Sequence, residues 1–459
     1  MSDLRELRRV ALVWLTAVAT GSTLVAVGLG SSGRGLALNL ATELVGAVVI
    51  CALFQLVIQR TQRREARARG LESRKAELIK RMGSGELEVA VPGANELSWR
   101  GWLTDGSLEG ADLRGACLEG AHLEGAILTD AYLDEVDLRG AHLEEANLSY
   151  ANMEGAILVD AHLEGADLTG AHLEGAILLG ACLEGAHLRG AHLEGAYLSY
   201  AQLEGANLRG AHLEGADLSY ADLERAILVD AGLKGADLQA ANLEAADLRG
   251  ATLEGAMLLD VNLKGGDLRG AHLEGASLGR AHLEGVILVD AKPTGADLMD
   301  AHLQDAMLWG ANLHGANLSH AHLEGAHLEG AKLKGATLLY AHLEGAKLRR
   351  AHLEGADLRG ANLEGATLLY AHLEGARLGR ANLEGVILVD ARLTGAEPGA
   401  ANLLGADLRF TRLDRAQVTA AQLAQARTLR AATLPDGTQL SEENWQAEAQ
   451  AWRKKQEEH

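Results

Sequence analysis

Histidine and glutamate recur in this chain two residues apart, a pairing able to ligate a metal ion or exchange a proton. His122, His142 and His162 are spaced by twenty, as are His282, His302, His322 and His342. Glu124, Glu144, Glu164, Glu184, Glu204, Glu224 and Glu244 keep the same interval two residues further on. A carboxylate column repels itself, and partial protonation of the neighbouring histidines relieves it, so mild pH sensitivity is expected. No metal and no cofactor is expected, because these groups recur with the repeat, face water and lie flat rather than converging. No Ser/His/Asp arrangement, phosphate loop, CxxC pair or isolated acid pair stands out, and the chain reads as a non-enzyme. Two further polar residues, Glu43 and Asn39, fall inside an apolar run and form a candidate intramembrane site. Thr42 and Gly46 beside Glu43 give a small-residue packing face, which favours a helix-packing role for the carboxyl.

The element that positions the columns is a five-residue phrase, A-x-L-x-x, repeated without insertion from about Ser107 to about Leu423. Leucine falls at positions ending in 3 or 8 and alanine at those ending in 1 or 6, with Met153, Pro293, Pro398 and Val418 as the exceptions at the leucine site. About 65 pentads keep this register. A period of five smears leucine around a helix and breaks the alternation of a long strand. Alanine and leucine, two apart, share one face of a short extended segment, and the next two residues, most often Glu-Gly, turn the chain. Such corners build a polygonal coil stacked on itself around a leucine core.

AHLEGADL (161–168), ANLRGAHLEGADL (206–218) and ADLRGANLEG (356–365) resemble the pentapeptide-repeat family. The resemblance covers 107–423 and implies a mainly β fold, a right-handed four-sided parallel β-helix (solenoid) with the central and i−2 residues inward. Four sides imply about 16 coils of twenty residues and a rod about 75 Å long. One departure is that no pentad has Phe at its centre. On this frame the His/Asn–Glu pentads occupy two opposite faces and mixed pentads the other two. Arg189, Arg209, Arg249, Arg269, Arg349 and Arg409 share a face and balance charge. Cys117 and Cys182 lie coils apart on different faces, so no disulfide is expected, and three cysteines fit a reducing compartment. Net charge is −21, while the repeat alone carries −24. An acidic rod stays soluble and is repelled by free nucleic acid, so no direct nucleic-acid partner is expected.

Residues 1–58 read as a transmembrane helical hairpin with spans at about 10–30 and 36–58, turning at Ser31 to Gly35. A second apolar run directly after the first favours this over a cleavable signal peptide. Arg5, Arg8 and Arg9 precede the first span, and a basic cluster of Arg60, Arg63, Arg64, Arg67 and Arg69 follows the second, against Arg34 in the loop. The positive-inside rule then predicts a protein of the cell inner (cytoplasmic) membrane, with both ends and the rod in the cytoplasm. Residues 59–83 read as a charged juxtamembrane helix suited to a coiled coil or anionic lipid. Residues 84–106, with Trp99 and Trp102, form an N-terminal cap, and 424–459 a C-terminal turn and short helix capped by Ser441.

Pro293 and Pro398 break the register inside related phrases, VILVDAKPTGADL (286–298) and VILVDARLTGAEP (386–398). Their unbroken relatives begin at 156 and 226, and copies offset by 70 or 30 residues land on the opposite face. Duplication in ten-residue units suits a rod whose length and general surface matter more than one site. The expected function is a membrane-anchored scaffold or spacer for protein partners, forming a homo-oligomer and meeting the lipid bilayer through its hairpin. The family resemblance implies a rival, mimicry of duplex DNA that protects gyrase. Glu43 and Asn39 suggest another, hairpins that oligomerise and disturb the bilayer.

Overall fold

The structure is a computed structural model and describes residues 33–457 together with Val13 and Thr16. The chain divides into two compact units, Met1–Glu77 and Leu78–His459.

Helix α1, Gly33–Met82, runs unbroken through both the apolar segment 36–58 and the charged segment 59–83. The segment lacks proline, so no residue interrupts the hydrogen-bond ladder. The expected turn at Ser31 to Gly35 is therefore already helical from Gly33, while the first span at 10–30 lies outside the described residues apart from Val13 and Thr16, both helical. Leu40, Leu44, Ile50, Leu53, Phe54 and Val57 are exposed along α1. Among the described residues, α1 is the one helix long and apolar enough to cross a membrane.

The second unit is built from one conformation repeated from Ala111 to Arg415, in which the residue between Ala and Leu makes a parallel bridge and the last two residues turn. Bridges join residues twenty apart, from Asp112 with Tyr132 to Arg392 with Arg412, so four pentads close each coil. Leu123 N–H donates to His142 O at 2.8 Å, and His142 N–H returns to Ala121 O at 2.9 Å, a pattern repeated coil after coil. The alanines and leucines are almost wholly buried, and each leucine removed from water contributes about 1.5–3 kcal/mol.

The corner needs a positive φ whatever residue occupies it. Asp130, Tyr150, Arg225 and Tyr340 adopt φ of 56, 58, 55 and 55°. This conformation disfavours a Cβ, and the stack on either side holds it in place. At Gly170 and Gly360 the exposed rings of Tyr150 and Tyr340 from the previous coil lie over the corner, so a side chain there would have to displace or stack on the ring, as Tyr220 stacks on Tyr200.

Helix α2, Leu87–Trp99, caps the first coil. Its Ala90, Ala94 and Leu97 are buried with Leu78 and Met82, and Gly93 lets the helices approach until a Cβ there would lie 3.1 Å from Met82 N. Ser84 O takes the N–H of Cys117 at 2.9 Å, satisfying one edge group of the coil. Trp99 is not part of this cover: it is 85% exposed, because it stands at the outer end of α2, whereas Trp102 packs on the core. At the other end the repeat gives way to α3, Ala420–Gln425, with a capping box between Thr419 and Gln422. The added length moves the bridging interval to 21, as in Asp407 with Thr428. Leu423, expected as a last pentad centre, is buried within α3. Helix α4, Trp445–Glu457, lies against α3 with Ala449 and Trp452 buried, and Ser441 Oγ accepts the Asn444 N–H at 2.9 Å ahead of it.

Candidate functional site: the ladder faces of the rod

A twenty-residue coil puts identical pentad positions in vertical columns. On one face the bridging residues run His122, His142, His162, Cys182, Gln202, Asp222, Asn242, Asn262, then four histidines from His282 to His342, then Asn362, Asn382 and Asn402. The rings of His122, His142 and His162 stack at 4.8 and 4.9 Å, and those from His282 to His342 at 4.7–5.1 Å. Where asparagine replaces histidine the column becomes an amide ladder. Asn262 Nδ2 donates to Asn242 Oδ1 at 2.9 Å, and Asn382 to Asn362 at 2.9 Å. The opposite face carries the second histidine set, with His172, His192 and His212 stacked at 4.7 and 4.8 Å and His352 on His372 at 4.8 Å.

Most of these histidines turn Nδ1 toward the glutamate two residues on, at 2.8 Å for His122–Glu124, 3.1 Å for His142–Glu144 and 3.2 Å for His352–Glu354. The other oxygen of Glu144, Glu164, Glu174, Glu184 and their equivalents is buried without a hydrogen-bond donor. These columns therefore hold more acceptors than protein donors, which favours cations, water or protonated imidazole beside them. Burial, followed by the neighbouring His322 and His282, holds the His302 imidazole below its ordinary value of 6.5. Several groups, among them His122–Glu124–His142 and His162–Glu164–Cys182, bring three ligand atoms within 4.8 Å of one another.

The two mixed faces work differently. Asp at the bridging position pairs with Arg two residues on, at 2.6 Å for Asp137–Arg139, Asp247–Arg249 and Asp357–Arg359, and 2.7 Å for Asp407–Arg409. The arginine bonds hold Asp137, Asp247 and Asp357 below the usual carboxylate range. Much of the acidic charge there is thus matched locally. Tyr200 and Tyr220 stack at 5.0 Å along one corner, beside exposed Ile177, Leu179 and Tyr197.

Pro293 and Pro398 are both buried at leucine positions. Pro293 leaves a cavity of about 10 Å³ lined by leucines, including Leu273 and Leu313. It also lacks the N–H that would meet Asn312 O, and the Thr294 hydroxyl donates there instead, at 3.2 Å. Near Pro398 the side-chain amide of Gln422 donates to Gly399 O at 2.7 Å and Ala401 O at 3.0 Å. Only Thr294 replaces a donor lost to proline, and the sequence reading missed both Thr294 and Gln422, since a Thr or Gln gains meaning only once coils are stacked.

Glu43 is exposed on α1, and a Cβ at Gly46 would meet nothing within 4 Å, so among the described residues that face is uncovered. Asn39 lies on the same helix. Arg60, Arg63, Arg64, Arg67 and Arg69 are exposed further along it, with Arg69 3.8 Å from Glu65. Cys51, Cys117 and Cys182 are free thiols.

A twenty-residue coil of four A-x-L-x-x pentads defines a pentapeptide-repeat solenoid. The family described as pentapeptide repeats matches residues 102–397 in overlapping segments, and the chain belongs to that family. Its rod is accordingly a right-handed β-helix, and proteins of this family are in general non-catalytic. Among solved structures, the chain is similar to HetL, a pentapeptide-repeat protein involved in heterocyst differentiation regulation in the cyanobacterium Nostoc sp. strain PCC 7120. That match is 34% identical, covers 52% of this chain and 91% of HetL, and has a TM-score of 0.24. QnrB1, a plasmid-mediated fluoroquinolone resistance protein, is 19% identical over 38% of this chain and 89% of its own, with a TM-score of 0.27. A pentapeptide-repeat protein of the Arabidopsis thaliana thylakoid lumen is 30% identical over 22% of this chain and 66% of its own, with a TM-score of 0.18. No curated protein matches the chain.

Proposed function

We propose that this chain is a membrane-anchored, non-catalytic scaffold whose acidic rod of about 16 coils spaces or assembles protein partners. In this reading a two-span hairpin anchors it in the inner membrane with the rod in the cytoplasm, and the chain forms a homo-oligomer. The supporting observation is the placement of the rod's related phrases. Ile157 bridges Ile177 in one column, whereas Ile227, Ile287 and Ile387 begin the same ILVD phrase in the column on the opposite face. A binding patch bound to one face would not be duplicated across two, while a spacer tolerates it.

The rival is a DNA-mimicking inhibitor or protector of an enzyme such as gyrase, favoured by the rod's net charge of −24. The Asp–Arg pairs on the mixed faces weigh against it, because they neutralise alternate sides of the rod where a duplex presents continuous charge. Reporter fusions at His459 and in the 31–35 loop test the anchor: opposite compartments are expected, and an exported carboxyl terminus overturns the reading. In a supercoiling assay the purified chain is expected to leave gyrase active. Inhibition that disappears as salt is added would exchange the two readings.

A further inference from the structure

Most rungs of the histidine columns set one ring on another, and such rungs are poor chelates. An ion lies in the plane of the imidazole it binds, and parallel rings 4.9 Å apart, as in His142–His162, do not share a plane. The column changes at the next rung, where Cys182 bridges His162. No ring covers His162 on that side, and a thiol needs only rotation about one torsion to aim its sulfur.

His162, Glu164 and Cys182 offer nitrogen, oxygen and sulfur ligand atoms within 4.8 Å of one another, and all three are half-buried. Tetrahedral ligands at zinc distances stand about 3.5 Å apart, so the group must close by about 1 Å through side-chain rotation. His162 Nδ1 is 3.4 Å from Glu164 Oε1, and the second oxygen of Glu164 is buried without a donor. Glu184, Glu164, Asp160 and Glu144 surround Cys182 with negative charge, and no Lys or Arg ion pair answers Glu164 among the described residues. A divalent cation would supply the missing charge. Thiolate with imidazole and carboxylate selects a zinc-class ion over magnesium or calcium.

We propose that His162, Glu164 and Cys182 form a site for one divalent transition-metal ion, with a fourth position open to water. The remaining cysteines are internal controls. Cys117 bridges Asp137 on another face, and Cys51 lies in α1.

The test is Co²⁺ titration of the full-length chain in detergent, without a histidine tag. Thiolate ligation gives a near-ultraviolet sulfur-to-cobalt charge-transfer band that grows to one equivalent and is displaced by Zn²⁺. Cys182→Ser should abolish the band and weaken Co²⁺ binding at the site by at least about tenfold, while Cys117→Ser and Cys51→Ser leave both unchanged. Glu164→Gln should weaken binding with the β-helix circular dichroism intact. Three results overturn the proposal: cobalt bound with no thiolate band, a band that survives Cys182→Ser, or one lost with Cys117→Ser.

Discussion

A regular coil and the coil at Pro293 carry the same load with different groups. In the regular coil every inward residue is an alanine or leucine, and every central N–H meets a carbonyl of the next coil, as Leu123 meets His142. At Pro293 one donor and part of a side-chain volume are missing, and the local Leu273 N–H to Lys292 O bond lengthens to 3.3 Å. The Thr294 hydroxyl replaces the donor, but nothing replaces the volume, and a small leucine-lined cavity persists. Near Pro398 the Gln422 amide from α3 serves other carbonyls, Gly399 O and Ala401 O, where the chain leaves the repeat for the C-terminal cap. The difference teaches that the solenoid tolerates a lost backbone donor where a polar side chain reaches the orphaned carbonyl, because an unpaired buried acceptor costs about 1–3 kcal/mol.

The comparison can be broken or sharpened by substitution, read from the thermal melt of the full chain in detergent. The largest effect is expected in a regular coil. Leu238 is wholly buried, so Leu238→Asp should cost about 3–5 kcal/mol by burying an unpaired charge, whereas exposed Glu244→Ala should stay within about 0.5 kcal/mol. Equal effects would mean that inward and outward positions are misassigned. Next comes Gln422→Ala, which strips donors from Gly399 O and Ala401 O and should cost about 1–3 kcal/mol, unravelling the C-terminal coils first. A neutral result would show that water serves those carbonyls equally well.

Pro293→Leu should raise stability by about 1 kcal/mol, since it fills the cavity and restores the N–H. Thr294→Val should cost about 1 kcal/mol in the native chain and close to nothing in the Pro293→Leu background, where the hydroxyl is redundant. Additive effects in that cycle would refute the substitution of hydroxyl for amide. The smallest effect concerns His302, stacked between His282 and His322 with Glu284 and Lys264 nearby. Its folded pKa lies below 6.5, so its contribution is full above that value and is lost as pH falls through the folded one. The arginine-paired Asp137, Asp247 and Asp357 follow on further acidification, below the ordinary 3.8. His302→Asn, which suits an amide ladder, should flatten the first step and leave the second.

The coil was legible in the sequence because its register is absolute: Ala121, Leu123 and Gly125 announce inward, inward and corner at every repeat. The columns followed from the same arithmetic, down to the stacking of His122 on His142. What the sequence hid depends on contacts across coils. Thr294 reaches Asn312 and Gln422 reaches Gly399 over intervals of 18 and 23 residues, and neither residue type stands out locally. Trp99 misled for a related reason, since an aromatic near a cap suggests cover, yet only the direction of α2 decides whether it faces the core. The thiol rung at Cys182 was visible as a cysteine, but its placement against His162 and Glu164 needed the stacked geometry.

The spacer account is tested most directly by two deletions that separate length from face. Removing Ala161 to Gly180 takes out one full coil and keeps every later residue on its face, whereas removing Ala161 to Gly170 moves later residues to the opposite face with half the shortening. Partners captured with the full chain from native membranes should be retained by both variants, with any loss following the length removed. Capture abolished by the ten-residue deletion and kept by the twenty-residue one would contradict the account, because recognition would then belong to one face.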